Sequence, residues 1–309
     1  MSLVNKIAWD DTVLPFQLDA ADMRGRIARL DGVLEGILKQ HQYPEAVETL
    51  IAEMTLLTAL MGESIKLQWK LSLQVQTNGP VRMIATDFYA PKATGETAQI
   101  RAYASFDREK LTDKAPFDQL GTGYFAVLID QGEGTKPYQG LSPLNGKSLS
   151  DSAETYFAQS EQLPTSFHLK FGKIRQANGK ENWRAGGIMV QHLPTSNFEA
   201  SDENSSDPSG LLSSQDLLNG DNAENWHRIN YHLGTIEELE MIGPSGRFKL
   251  TEPYANETHL YATGTGIAPF IPFLFKLKKD NYKGKVLLYF GVRNQEEVFV
   301  VEELESFRK

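Results

Sequence analysis

The chain has 309 residues and contains no cysteine. This absence excludes disulfide bonds, thiolate nucleophiles, zinc sites with cysteine ligands and any switch that works through thiols. No uninterrupted apolar stretch approaches the roughly 18 residues that a transmembrane helix needs. The first residues also lack the basic segment and apolar core of a secretory signal. From these absences we expect a cytoplasmic protein without a membrane partner.

Basic residues are also fewer than acidic residues, with 31 lysines and arginines against 40 aspartates and glutamates. The resulting net charge of −9 disfavours binding to nucleic acids, because their phosphate backbone requires a basic surface. The motifs His-Glu-x-x-His and Gly-x-Ser-x-Gly do not occur, and His227 and His232 lie five positions apart rather than four. The sequence therefore predicts no nucleic-acid partner, no metal site and no catalytic residue.

The longest helical pattern follows Pro44, a residue type that suits the first turn of a helix. Apolar side chains recur every three or four positions between residues 47 and 61, as in a helix with a buried face. Gly62 then occupies a position typical of a helix C-cap. We predict one long core helix here. Two strands and a short helix are predicted before it, over residues 16–18, 23–30 and 31–40.

Strict alternation of apolar and polar residues from 65 to 76 predicts a strand with one buried face. Asn78-Gly79 is a hairpin turn signal, so residues 81–88 are predicted to return beside that strand. A second hairpin is centred on Asn178-Gly179. Further strands are predicted over residues 100–106, 124–130 and 188–192. Strands joined by hairpins, with a few helices, indicate an α+β domain with a mostly antiparallel sheet.

A capped helix is predicted between Ser148 and Pro164. Ser148 and Asp151 have the Ser-x-x-Asp spacing of an N-terminal capping box, and Pro164 cannot continue a helix. Gly146-Lys147-Ser148 also looks like the end of a phosphate-binding P-loop, but Leu141 stands where that motif requires its first glycine. We therefore assign Ser148 to the helix cap.

The segment Tyr156-Phe-Ala-Gln-Ser-Glu-Gln-Leu-Pro-Thr165 resembles the signature of the 33 kDa chaperonin family, redox-regulated holdases that bind unfolded proteins without ATP. The resemblance covers about residues 12–241. It implies unfolded client proteins as partners, with a homodimer as one option for the assembly. Further motifs match at family-like spacing, at residues 23–26, 41–44, 121–124, 138–140, 144–149 and 185–191.

Residues 195–210 are dominated by polar residues, proline and glycine, which indicates a linker. Beyond them, Trp226, Ile229 and Leu233 have helical spacing, and Thr235 and Glu238 form another capping-box pattern. In the family, a helical linker here takes part in client binding. A small zinc domain follows it there, and its C-x-C and C-x-x-C ligands form the redox switch. This chain has no cysteine at those places.

Without zinc, we expect the linker between about residues 195 and 241 to be loosely held and the holdase activity to be constitutive. The alternative is that the C-terminal segment docks on the linker and leaves an inert protein. The apolar linker residues expected to be partly exposed are Leu211, Leu212, Leu217, Leu218, Trp226 and Ile229.

The C-terminal segment resembles a different family. Gly246-Arg-Phe-Lys-Leu250, Tyr261-Ala-Thr-Gly-Thr-Gly-Ile-Ala-Pro-Phe270 and Lys285-Val-Leu-Leu-Tyr-Phe-Gly-Val-Arg293 look like the nucleotide-binding half of ferredoxin–NADP reductases. A strand at 259–262, a glycine turn, a helix at 269–277 and a buried parallel strand at 286–290 predict a Rossmann-like βαβ fragment. Its glycines would let backbone amides approach a pyrophosphate. The candidate nucleotide-binding residues are Thr263, Gly264, Thr265, Gly266 and Arg293.

We therefore predict three regions: a chaperonin substrate-binding domain over residues 1–194, a linker over 195–242 and a partial NAD(P)-binding fragment over 243–309. The favoured function is an ATP-independent holdase that is not an enzyme, without zinc or flavin. Weak NAD(P)H binding without turnover is expected from the fragment. The alternative is a flavin- and NAD(P)H-dependent oxidoreductase of the reductase type. Arg101-Ala-Tyr-Ala-Ser105 departs from that family's Arg-x-Tyr-Ser flavin motif by one inserted residue.

Overall fold

A computed structural model describes most of the first three quarters of the chain and short parts of the remainder. The chain forms two compact units, residues 1–239 and residues 240–309. The described residues are 11–18, 21–93, 96–175, 179, 181–193, 211–234, 257–263, 274, 277–278 and 282–291.

In its described part, the first unit contains nine β-strands and four α-helices. The strands are β1 (Thr12–Leu18), β2 (Met23–Leu30), β3 (Lys70–Thr77), β4 (Val81–Tyr89), β5 (Gln99–Phe106), β6 (Gly123–Asp130), β7 (Tyr138–Pro143), β8 (Thr165–Arg175) and β9 (Glu181–His192). The helices are α1 (Gly32–Leu38), α2 (Glu45–Ser64), α3 (Leu149–Tyr156) and α4 (Gly220–Gly234).

The strands of this unit form two antiparallel sheets. One has four strands in the order β1-β2-β9-β8, and the other has five in the order β5-β4-β3-β6-β7. The hairpin predicted at Asn78-Gly79 joins β3 and β4. Gly179 lies between β8 and β9 with a φ of +82°, while Asn178 lies outside the described residues. These findings confirm the prediction of an α+β fold built on antiparallel sheets.

Helix α2 forms the centre of the unit. Most of its residues are buried, including polar Thr55 and Thr58, whose hydroxyls donate to the carbonyl oxygens four residues earlier (2.7 Å each). It packs against strands of both sheets. Each fully buried large apolar side chain contributes roughly 1.5–3 kcal/mol. The long core helix predicted from its 3.6-residue period is thus confirmed.

Two details around α2 differ from the predictions. Gly62 is not a C-cap, because the helix continues to Ser64 and a Cβ atom at Gly62 would lie 2.5 Å from Cγ of Phe88. The glycine is required for close packing against that ring. The next strand begins at Lys70 rather than at Ile65, since the chain first makes a tight turn in which Leu67 N–H donates to the Ile65 carbonyl (2.8 Å).

The predicted cap of α3 is confirmed. The Ser148 hydroxyl accepts a hydrogen bond from Asp151 N–H (3.0 Å), while the Asp151 carboxylate accepts from Lys147 N–H (2.6 Å). At its other end the helix widens into a π-helical turn, Phe157–Glu161. Gln162, with a φ of +50°, ends that turn before Pro164 is reached.

The second unit contains a pair of parallel strands in its described part, β10 (Glu257–Thr263) and β11 (Lys285–Gly291). Leu277 and Lys278 are helical, but most of the helix predicted over residues 269–277 lies outside the described residues. Parallel pairing requires a crossover between the two strands. It agrees with the βαβ fragment that the sequence predicts.

Candidate functional site

The four-stranded sheet has two apolar faces. We call one the inner face; its residues include Ala28, Leu30, Phe167, Ala185 and Met189, and they belong to the same core as the side chains of α2. The opposite face, which we call the outer face, has its own smaller cluster. Successive side chains of a strand point to opposite faces of the sheet, so neighbouring residues of β9 belong to different hydrophobic clusters. The strand residues of the outer cluster are Phe16, Met23, Ile27, Ile188 and Val190.

Helix α4 covers the outer face. Leu218 and Trp226 are buried there, at 7% and 4% exposure, and Ile229 and Leu233 pack against the same cluster. Tyr231 points away from the sheet and is 71% exposed. This amphipathic pattern explains why the helix lies on a sheet rather than free in solvent.

The expectation of exposed linker side chains is therefore wrong for Leu218 and Trp226. The other four residues, Leu211, Leu212, Leu217 and Ile229, are half-buried and so are partly exposed, as predicted. Leu218 and Trp226 are buried because the outer face offers them an apolar partner within the same unit. Loss of the cysteine ligands does not by itself leave this part of the linker without a docking site.

Polar contacts also join the described part of the linker to strand β8. His168 Nε2 lies 2.9 Å from Asn230 Oδ1 on α4. Thr165 N–H donates to Ser214 Oγ (3.0 Å), and the Ser214 hydroxyl donates back to the Thr165 carbonyl (2.9 Å). Each neutral hydrogen bond contributes only about 0.5–1.5 kcal/mol. These polar contacts therefore add a modest amount to the apolar docking of this segment.

The margin of the outer face remains open to solvent. Leu14 and Leu18 of β1 are 40% and 37% exposed. They pair with Ile27 and Met23 of β2, so they project from the same side of the sheet as the covered cluster. The apolar surface therefore extends beyond the area that α4 covers.

A half-buried carboxyl group lies beside this surface. Glu154 of α3 accepts a hydrogen bond from Phe167 N–H (2.7 Å). It lines a cleft whose other walls include the start of β8, residues 211–215 and α4. Burial raises the pKa of Glu154 to about 7, against the opposing effect of the Phe167 hydrogen bond. The carboxyl group therefore changes its protonation near neutral pH.

The family-like signature segment has a structural role in this fold. Tyr156 and Tyr138 both donate to the Glu161 carboxylate, at 2.6 and 3.0 Å. The Tyr156 ring packs on Gly140, where a Cβ atom would lie 2.4 Å from the ring. Burial, together with these hydrogen bonds, raises the pKa of Tyr156, so its phenol stays protonated. The segment fixes the junction between α3 and β8, the strand on which the linker docks.

Of the predicted nucleotide-binding residues, Thr263 is the one within the described residues. It ends β10 and pairs in register with Gly291 of β11. The carboxyl ends of adjacent parallel strands are where α/β sheets bind their ligands. Gly264, Thr265, Gly266 and Arg293 lie outside the described residues, as do the capping-box residues Thr235 and Glu238 and the polar stretch 195–210.

Metal-binding clusters and membrane-spanning helices are both missing from the described part of the chain. There, no group of three or more histidine, aspartate or glutamate side chains is arranged to hold a metal ion. No helix in the same residues is long and apolar enough to cross a membrane.

The sequence did not identify His168, Asn230, Ser214 or Glu154 as site residues. His168 alternates with Phe167 and Leu169, which predicts a solvent-facing side chain, but that side of β8 faces the linker. The sequence does contain one signal, the helical spacing of Trp226, Ile229 and Leu233. These side chains form one apolar helix face, and such a face must pack against another surface. The pattern does not identify the surface that covers it.

Comparison with known proteins gives the same picture of both units. The profile of the family described as Hsp33 protein matches residues 11–246, and that described as Oxidoreductase NAD-binding domain matches residues 260–309. Both matches confirm the resemblances found in the sequence.

Two relatives identified by their sequences agree with the first match. The 33 kDa chaperonin of Caulobacter vibrioides (strain NA1000 / CB15N) is 32% identical over 243 residues, covering 76% of this chain and 72% of that protein. The 33 kDa chaperonin of Shewanella loihica is 30% identical over 235 residues, covering 76% and 75%. A crystal structure of the Thermotoga maritima 33 kDa chaperonin aligns with a TM-score of 0.47 at 22% identity, over 59% of this chain and 60% of that one. The chain belongs to the Hsp33 protein family.

Proposed function

We propose that this protein is an ATP-independent holdase that binds unfolded proteins on the outer face of its four-stranded sheet. The observation that carries the proposal is an apolar sheet face that, among the described residues, is covered by helix α4 and Leu218 and has the partly exposed Leu14 and Leu18 at its margin. Relatives at about one third identity are named chaperonins. In this proposal residues 1–194 bind the substrate, residues 195–242 form the covering linker and residues 243–309 are an accessory fragment.

Release of α4 would expose the surface that clients need. Trp226 and Leu218 contribute roughly 1.5–3 kcal/mol each through burial, and part of that is offset by the entropy of ordering the helix. Segments with few buried contacts open far more often than the whole domain unfolds. The exposed surface would then combine Phe16, Ile27 and Ile188 with the apolar side of the helix, and a contiguous apolar patch of this kind binds unfolded chains.

Because the chain has no cysteine, we infer that client access is controlled by the equilibrium between docked and released α4. Structural zinc contributes apparent binding energies of roughly 10–16 kcal/mol to small domains, and cysteine ligands for it are missing here. Peroxide has no thiol to oxidise, and oxidation of the seven methionines is a separate reaction. We therefore infer that the activity needs no oxidant.

The test is suppression of aggregation of a thermally unfolding client enzyme by the full chain, without ATP, with and without mild peroxide. The proposal predicts equal suppression in both conditions. No suppression in either condition would favour the inert alternative. A rapid gain that depends on peroxide would contradict the proposed control.

We infer a lesser role for the second unit, namely weak NAD(P)H binding without turnover. The match to an oxidoreductase NAD-binding domain and the parallel pairing of β10 with β11 support this inference. Thr263, Gly264, Thr265, Gly266 and Arg293 are the proposed contacts. Fluorescence titration with NADPH should show weak saturable binding. Stoichiometric flavin in the purified chain, or NADPH oxidation with ordinary electron acceptors, would instead favour the reductase alternative.

A further inference from the structure

Glu154 lines a cleft that the docked linker helps to form. The turn at residues 145–146, the side of α3 and the start of β8 form one part of the cleft. Residues 211–215 and the α4 side chains Trp226, His227 and Asn230 form the other part. The docked linker therefore forms one wall of the cleft that this carboxyl group lines.

Glu154 has polar neighbours in the described part of the cleft. Phe167 N–H donates to its carboxyl oxygen at 2.7 Å, and the Ser166 hydroxyl also hydrogen-bonds to it. Among the described residues that line the cleft there is no lysine or arginine. The titratable neighbours are Asp151 from α3, His168 from β8 and His227 from α4.

An enclosed carboxylate without a cation is less favourable than the neutral acid. Opening the cleft returns the group to water, where ionisation carries no such penalty. The protonation of Glu154 and the position of α4 are therefore linked through the same enclosure.

We propose that docking of α4 on the outer face is coupled to the uptake of a proton by Glu154. Acidic conditions then hold the helix on the sheet, and alkaline conditions favour its release. The coupling makes client access sensitive to pH in a chain that has no thiol switch. That consequence rests on the proposed holdase function, whereas the coupling itself does not.

The direction of the effect follows from proton linkage. With α4 docked, burial raises the pKa of Glu154 from 4.5 to about 7. The docked form binds the proton more tightly than the released form, so docking is strongest at low pH and this contribution is lost as the pH rises through about 7. If the released carboxyl regains its ordinary pKa, the docking equilibrium weakens about tenfold between pH 6 and pH 8.

Hydrogen exchange of the α4 amides in the full chain measures docking directly. Protection at residues 220–234 is compared at pH 6, 7 and 8 after correction for the intrinsic exchange rate at each pH. The wild type should lose protection by up to about tenfold over this range. Glu154→Gln, which keeps the acceptor oxygen but cannot ionise, should show constant protection.

A matched control replaces an exposed carboxyl of α4 itself. Glu224→Gln should lose protection with pH as the wild type does, because Glu224 lies on the solvent side. Histidines change charge in the same pH range. A pH dependence that persists unchanged in Glu154→Gln would therefore assign the effect to His168 or His227 and overturn the proposal, as would pH-independent protection in the wild type.

A second variant tests the coupling while the carboxyl group stays in place. The Ser166 hydroxyl stabilises the ionised form of Glu154, so Ser166→Ala should move the midpoint of the pH dependence to higher pH. An unchanged midpoint would overturn the proposal even if Glu154→Gln fails to fold. Because exchange reports docking and not chaperoning, loss of client binding with intact pH coupling would refute the proposed function alone.

Discussion

The two faces of the four-stranded sheet differ in what covers them, although the same strands supply both. The inner face shares a core with α2, a helix buried along most of its length between two sheets. The outer face is covered by α4, a helix with one buried residue, Trp226, and several exposed ones. Helix α2 is part of the larger hydrophobic core, whereas α4 belongs to a separate and smaller hydrophobic cluster. We therefore expect this sheet to keep its fold when its outer face is opened.

Truncation of an inner-face side chain should have the largest effect on stability. Met189 is 1% exposed, and Met189→Ala should lower the free energy of unfolding by about 2–5 kcal/mol, because it leaves a cavity against the core. Urea denaturation followed by circular dichroism measures this change.

The matched control for Met189→Ala is the preceding residue of the same strand. Ile188→Ala removes a side chain of similar size from the outer face, where α4 can move to fill the space. We expect a clearly smaller loss of global stability. Equal losses would show that the outer face is as fully integrated into the core as the inner one.

Removal of the main anchor of α4 should open the outer face. Trp226→Ala should weaken the free energy of docking of α4 by about 3 kcal/mol. We therefore expect the helix to be released most of the time while the domain remains folded. Binding of a hydrophobic fluorescent dye and suppression of client aggregation should both increase.

Tyr231→Ala provides the control for Trp226→Ala, because it removes an aromatic ring of the same helix that is 71% exposed. This variant should behave as the wild type does. Global unfolding of Trp226→Ala at ambient temperature would contradict the expectation that α4 can leave the outer face while the inner core stays folded.

A smaller effect is expected from the polar contacts. Ser214→Ala removes both hydrogen bonds to Thr165 and should weaken docking of the linker by about 1–2 kcal/mol. Proteolysis within residues 211–234 should become faster, while the urea midpoint of the domain stays nearly constant. An unchanged rate of cleavage would mean that these hydrogen bonds do not hold the linker.

The inner core was largely predictable because its signals are local. A 3.6-residue period predicted α2, and Asn78-Gly79 predicted the β3–β4 hairpin. Gly62 was assigned wrongly, since a glycine near a helix end suits either a cap or a close approach, and only the position of Phe88 distinguishes them.

The outer face was predicted less well because its contacts join distant parts of the chain. The apolar spacing of Trp226 and Ile229 required a partner, but the sequence did not identify the outer face as that partner. His168 and Asn230 lie 62 positions apart, and each residue type is ordinary on a solvent-facing surface. The cleft that Glu154 lines is likewise formed by segments that lie far apart in the sequence.

The most direct measurement fixes α4 to the sheet. In a chain without native cysteine, His168→Cys and Asn230→Cys introduce a single thiol pair where the two native side chains touch, at 2.9 Å. A short, cleavable thiol-reactive cross-linker would then hold the helix in its docked position. We expect that the cross-linked chain no longer suppresses client aggregation and that cleavage of the cross-link restores suppression. Undiminished suppression by the cross-linked chain would contradict the assignment of the outer face as the client-binding surface.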